Sequence, residues 1–229
     1  MTNRKVLITG ADGGLGTHVT RAFLAAGARV VGISRNIKQE DFPSASFIAL
    51  PAEVASAVGA QSAAENAVKQ LGGLDVVVHT VGGFAGGQRV DQTDDATFQR
   101  MFNTNLNSAF YLLRAAIPHL RRSRSGRIIA IGSRAVVDPG PGIWAYSASK
   151  AALVSLIKTV ALENKDVGLT ANVILPGTID TPANRKAMPD ADTSPWVQPG
   201  NIASLAIWLA GDAGKDVNGA AIPLYGAGL

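Results

Sequence analysis

Two hydrophobic patterns alternate along this chain: short, mostly apolar runs, and longer stretches with apolar residues every three or four positions. The runs at 6–8, 29–33, 47–50, 75–78, 127–131, 171–175 and 221–224 are rich in Val, Ile and Leu and are bounded by turn residues, so they read as strands. Val76, Val77 and Val78 are apolar in succession, as expected of a strand covered on both faces. Pro223 cannot donate to a ladder and places the last strand at a sheet edge. Between the runs the helical period takes over. Over 14–26, Leu15, Val19, Ala22, Phe23 and Ala26 share one face, and Gly27 ends the helix. Further helices are predicted over 54–71 with a soft break at Gly59, over 102–121 with Pro118 tolerated near its end, from Tyr146 onward, and over 202–210. The segment between the sixth strand and the last helix reads as a polar loop. Strand and helix alternate over the whole length, which predicts one α/β domain: a Rossmann-like, doubly wound parallel sheet of about seven strands with helices on both faces. No linker and no internal repeat interrupts it.

Composition narrows the chemistry. The 229 residues, 47% hydrophobic and 17% charged, suit a single large core and not a disordered chain. Without cysteine there is neither a disulfide framework nor thiolate chemistry. His18, His79 and His119 lack metal-ligand spacing, so no metal site is expected. No signal-like or membrane-length apolar stretch occurs, which leads to the expectation of a cytoplasmic protein without a membrane partner. The formal charge of +4 is spread along the chain, and its one dense cluster, Arg121, Arg122, Arg124 and Arg127, reads as a solvated helix end. Nucleic acid is not an expected partner.

The most informative segment is Tyr146-Ser147-Ala148-Ser149-Lys150. On a helix this spacing puts phenol and ammonium on one face. A free tyrosine titrates near pH ~10, and a neighbouring cation favours phenolate, making the group a usable acid or base at neutral pH. Ser133 follows the fifth strand. At the other end of the chain, Thr9-Gly10-Ala11-Asp12-Gly13-Gly14-Leu15-Gly16 joins the first strand to the first helix. Glycines there let backbone approach a pyrophosphate, which sits well at a helix N-terminus.

Taken in order, these motifs make the chain resemble the short-chain dehydrogenase/reductase family over essentially its full length. Thr9, Gly10, Gly14 and Gly16 match the family's glycine loop, and Tyr146 with Lys150 its Tyr-x-x-x-Lys. Ser133 matches its serine, Asn105 its asparagine, and Pro176-Gly177-Thr178-Ile179-Asp180-Thr181 its nicotinamide-contacting segment. The resemblance implies that Tyr146 exchanges a proton with substrate and that Ser133 hydrogen-bonds the same atom. It implies that Lys150 lowers the tyrosine pKa and binds ribose, while Asn105 fixes a water linking Lys150 to solvent. Asp12, Gly13, Leu15, Val81 and Gly82 join the cofactor site on the same basis. Two departures stand out: His79-Thr80-Val81-Gly82 replaces the family's Asn-Asn-Ala-Gly, and the acid that commonly meets adenine is missing from Leu50-Pro51-Ala52-Glu53.

After the second strand stand Ser34, Arg35 and Asn36 with no carboxylate. An acid there would hold a ribose hydroxyl, whereas arginine and serine suit a 2′-phosphate, so NADP(H) is expected over NAD(H), with NAD(H) still possible. The loops at 81–87 and 179–192 look like those of dihydropteridine reductases, although such enzymes often lack the serine kept here as Ser133. Phe84, Trp144 and Met188 are the expected substrate-pocket residues, with Trp196 expected to pack beneath a loop. The expected activity is an NADPH-dependent reductase acting on C=O or C=N in a small carbonyl or pterin-like molecule. A general ketone or 3-oxoacyl thioester reductase is the rival, and a non-catalytic cofactor-binding sensor or scaffold the alternative of another class. The resemblance also implies a homodimer or homotetramer joined through the helices at 102–121 and 146–164.

Overall fold

Seven parallel strands form one sheet in the computed structural model, which describes residues 1–123 and 125–227. In chain order the elements are β1 (Lys5–Thr9), α1 (Gly16–Ala25), β2 (Arg29–Ser34), β3 (Phe47–Pro51), α2 (Ala57–Leu71), β4 (Val76–His79), α3 (Asp95–Phe102), α4 (Ser108–Leu120), β5 (Arg127–Ile131), α5 (Trp144–Glu163), β6 (Thr170–Pro176), α6 (Pro182–Ala187), α7 (Pro199–Ala210) and β7 (Ala221–Leu224). The strand order is β3-β2-β1-β4-β5-β6-β7, so the chain winds outward in both directions from the β1–β4 pair. Ligands of such sheets bind beyond the carboxyl ends of the strands, at this reversal of direction.

Alternate residues of each strand feed two cores. Leu7, Val31, Val77, Ile128 and Val173 pack with α2, α4 and α5. Val6, Ile8, Val30, Val78, Ile129 and Ile174 pack with α1 and α7 on the other face. The central strands are therefore apolar at successive positions, since side chains on either face meet a helix layer, while Asn172 in β6 is buried, bonded to Val217 O and Ala220 N. Pro223 lies in β7, which pairs only with β6 and is an edge, as its missing N–H requires. No helix among the described residues is long and apolar enough to cross a membrane.

Three elements differ from the sequence pattern. The single helix expected over 102–121 is two helices joined by a π-helical stretch at Asn103–Asn107, and α3 starts well upstream. Asp94 starts it by accepting from the Thr97 amide at 2.6 Å, a cap hidden within a polar run. The loop after β6 contains α6, begun by Thr181, whose hydroxyl accepts from Asn184 N, and by Pro182 in the first turn. The basic cluster is also not uniformly solvated. Arg127 is buried in β5 and donates to the carbonyls of Gly126 and Gly168, while Arg121 donates to Asn164; Arg124 lies outside the described residues.

Candidate active site

The loop after β1 turns tightly because Gly13 N bonds Gly10 O at 3.0 Å and Gly10 adopts φ +66°. A Cβ on Gly16 would fall 1.8 Å from Gly10 O, so the loop can close on α1 only without a side chain there. No side chain caps α1 and no acid occupies its first turn. Its leading amides and the positive end of its dipole therefore suit an anion. Gly14 lies under the Thr181 side chain, 3.1 Å from where its Cβ would be, which brings the loop after β6 over the glycine turn. Asp12 is exposed on the turn and Leu15 is buried behind it.

At the end of β2, Ser34 is half-buried and Arg35 is exposed. Arg35 Nε lies 3.9 Å from Glu53 Oε2, so a carboxylate does stand near this end of the crevice although no acid follows β2 directly.

Beyond β4 the departure from the family pattern becomes a buried polar bridge. His79 Nδ1 lies 2.9 Å from Thr9 Oγ1 and its Nε2 3.3 Å from Ser108 Oγ. The Ser108 hydroxyl donates to Thr104 O at 2.6 Å, so its oxygen accepts from Nε2–H, and Nδ1 accepts from Thr9. Burial, and secondarily the charge of Lys150, lower the His79 pKa to about 3, so the ring is neutral. Thr80 Oγ1 donates to Thr9 O at 2.7 Å, and Val81 lies against Gly10. The chain then passes Lys150 so closely that a Cβ on Gly82 would sit 3.0 Å from Nζ.

Asn105, in the π stretch, is fully buried. Its Oδ1 accepts from Gly83 N at 2.9 Å, and its Nδ2 donates to Gly83 O and to Ser149 Oγ, each at 3.0 Å. The side chain thus ties the loop after β4 to α5. Helix α5 carries Tyr146 and Lys150 one turn apart, and Ser133, just past β5, is near enough to the Tyr146 phenol to favour its ionised form.

The expected lowering of the Tyr146 pKa by Lys150 is not what this geometry gives. Burial pushes the phenol upward, and the nearby Ser133 hydroxyl only partly offsets it. The Lys150 ammonium donates instead to Ile131 O at 2.8 Å, and burial lowers its pKa to about 8. A Cβ on Gly177, after Pro176, would meet Tyr225 O at 2.7 Å, so this turn too admits only glycine. Ile179 bridges to Val197, and Asp180 holds Arg185 through two bonds of 2.6 and 2.8 Å, which fixes the approach to α6.

The expected pocket residues separate. Phe84 packs edge-on against Tyr146 with ring centres 5.0 Å apart. Trp144 stacks on Phe98 and lines a cavity of about 290 Å³ next to Ala145. Met188 is outside that lining, and Trp196 is buried as packing. Sequence reasoning missed Ser149 and Phe98, whereas Thr181 lay within the segment matched to nicotinamide contact and also carries a cap signal with Pro182.

A family model described as short chain dehydrogenase matches residues 4–192. The chain is 34% identical over 184 residues to 2,3-dihydro-2,3-dihydroxybenzoate dehydrogenase of Escherichia coli, covering 80% of this chain and 73% of that one. It is 30% identical over 234 residues to the 3-oxoacyl-(acyl-carrier-protein) reductase FabG of Salmonella typhimurium, covering 96% and 95%. Among solved structures, the Pseudomonas aeruginosa RhlG/NADP active-site complex superposes with a TM-score of 0.91 at 29% identity, covering 100% of this chain and 96% of that chain.

Proposed function

The chain belongs to the short-chain dehydrogenase family, and from that premise we propose that it is an NADPH-dependent reductase delivering hydride to a C=O or C=N carbon, with Tyr146 as proton donor. The observation that carries this reading is Tyr146 one turn from the buried Lys150 on α5, with Lys150 anchored to Ile131 O two residues before Ser133. A phenol raised above its ordinary pKa is protonated at neutral pH, the state a general acid needs. Ser133, just past β5, would share the substrate heteroatom with the phenol.

The residues present fit a nicotinamide dinucleotide. The glycine turn at 10–16 and the uncapped start of α1 suit its pyrophosphate. Ser34 and Arg35 suit an adenosine 2′-phosphate. Lys150 would hold the nicotinamide ribose, with Val81, Gly82, Pro176, Gly177 and Ile179 around it. When bound, such a cofactor supplies or accepts hydride at its nicotinamide ring. Asn105 acts by holding the Gly82–Gly83 turn against α5, and its role in fixing a water beside Lys150 belongs to the same proposal.

The retained serine supports ordinary carbonyl reduction, including ketones and 3-oxoacyl thioesters. A pterin-like substrate is the second reading, supported by Phe84, whose exposed ring beside Tyr146 offers a flat heterocycle an aromatic contact. We also propose a homodimer or homotetramer joined through α4 and α5, where Phe110 and Leu162 are exposed. The test is NADPH oxidation with a small ketone, a 3-oxoacyl thioester and a quinonoid dihydropterin as separate acceptors, repeated with NADH. Turnover of at least one acceptor with NADPH favoured is expected. NADPH binding without turnover of any would leave the non-catalytic sensor or scaffold.

A further inference from the structure

A cavity lined at Gly86, beside the Phe84 ring that packs on Tyr146, carries a charged group that the proposed chemistry does not use. It starts at Ala145, is walled by Trp144, and reaches Gln88, Thr97 and Arg100. Trp144 is locked in place: it stacks on Phe98 with the planes 16° apart, and its Nε1 donates to Thr93 Oγ1 at 2.8 Å. The Thr93 hydroxyl in turn donates to Arg89 O at 2.9 Å. Both groups have spent their protons on the protein, so this wall presents a flat apolar face to an occupant.

Arg100, in the last turn of α3, differs from its charged neighbours. Arg89 lies 3.8 Å from Asp91. Asp94 feels the Arg100 charge, but its carboxylate accepts from the Thr97 amide at 2.6 Å and caps α3. Among the described residues Arg100 itself has neither an ion-pair nor a hydrogen-bond partner. An exposed guanidinium is always charged and offers a planar fork of donors matched to carboxylate or phosphate oxygens.

We propose that Arg100 is the anion-recognising residue of the substrate pocket, so that the substrate is a small carbonyl compound bearing a carboxylate or phosphate. This rests on the reductase reading. The carbonyl would sit at Tyr146 and Ser133, the carbon frame along Trp144, and the anion at Arg100 with Gln88 and Thr97 as neutral neighbours. A volume of about 290 Å³ is at the small end for ligand pockets, which favours a compact oxo acid over a long acyl chain.

The experiment compares kcat/KM for a 3-oxo acid, its neutral methyl ester and a ketone phosphate in the wild type, Arg100→Leu and Arg100→Lys. Charge-assisted recognition predicts that the better anion exceeds the ester by about tenfold to a hundredfold. Whether acid or phosphate leads identifies the anion. Arg100→Leu should bring the ratio close to one, chiefly through KM for the anion, and Arg100→Lys should restore part of it. Equal use of ester and anions by the wild type, or a ratio unchanged in Arg100→Leu, overturns the role of Arg100 while the reductase stands. No turnover of these three or of any other carbonyl overturns both together.

Discussion

Lys150 Nζ donates to the backbone carbonyl of Ile131 at 2.8 Å, tying the catalytic helix to the end of β5 two residues before Ser133. One contact therefore registers the three groups of the proposed proton-transfer site, and it does so with a buried cation. The ammonium is held where desolvation works against its charge, which makes the Lys150 charge sensitive to mild alkali.

The Lys150 pKa of about 8, against its usual 10.5, sets an alkaline limit. Turnover that needs the ammonium should fall as pH rises through about 8, seen in a pH–rate profile with saturating cofactor. Lys150→Arg, which stays charged, should lose this limb if it folds. Stability moves the other way. The unfolded chain binds the extra proton between about 8 and 10.5, so stability rises with pH across that window. Urea unfolding of wild type and Lys150→Met checks the sign, since the variant should lack this rise.

Acid tests the His79 bridge. Its pKa of about 3 lies well below the ordinary 6.5, so the stability present above pH 6.5 is lost as pH falls towards 3. Charging the buried ring costs on the order of a few kcal/mol. His79→Asn, which cannot titrate, should have a flatter melting curve against pH over that interval. An identical acid slope in both proteins would remove His79 from the explanation.

Gly16→Ala should weaken NADPH binding at least tenfold and lower the melting temperature, because its Cβ would lie 1.8 Å from Gly10 O. Gly200→Ala is the matched control. Its Cβ meets nothing within 4 Å, so it should be neutral or slightly stabilising through helix propensity. Calorimetric titration and thermal melting of the pair separate loop closure from a general glycine effect.

Arg35→Ala should raise KM for NADPH about tenfold and leave that for NADH nearly unchanged, as loss of one charge-assisted contact to the 2′-phosphate requires. Glu53, 3.9 Å from Arg35, competes for the same guanidinium, so Glu53→Gln should improve NADPH modestly. Equal effects of Arg35→Ala on both cofactors would show that Arg35 does not discriminate them.

Much of the fold was legible because the central strands are Val- and Ile-rich runs whose neighbours cover both faces, and because Pro223 marks its own strand as an edge. The break at Asn103–Asn107 was not legible: apolar periodicity runs through it, and the bulge follows from Asn105 reaching the loop after β4. Helix α6 depends on one cap and one proline within a polar stretch. In the site, Tyr146 and Lys150 stood out by their spacing and the glycine turn by its place between strand and helix, while Ser133 came with the family resemblance. The direction of the Lys150 ammonium, the Ser149 partner of Asn105 and the place of Arg100 in the cavity could not, since each depends on packing between segments distant in sequence.

The most direct measurement is NADPH oxidation by wild type and Tyr146→Phe with the best acceptor from the carbonyl and pterin panel, alongside NADPH affinity for both proteins. Removing only the phenol hydroxyl should cut turnover by about 10²–10⁴, as loss of a general acid does, and leave cofactor affinity within a few-fold. Turnover retained in Tyr146→Phe with NADPH bound as before would contradict Tyr146 as the proton donor.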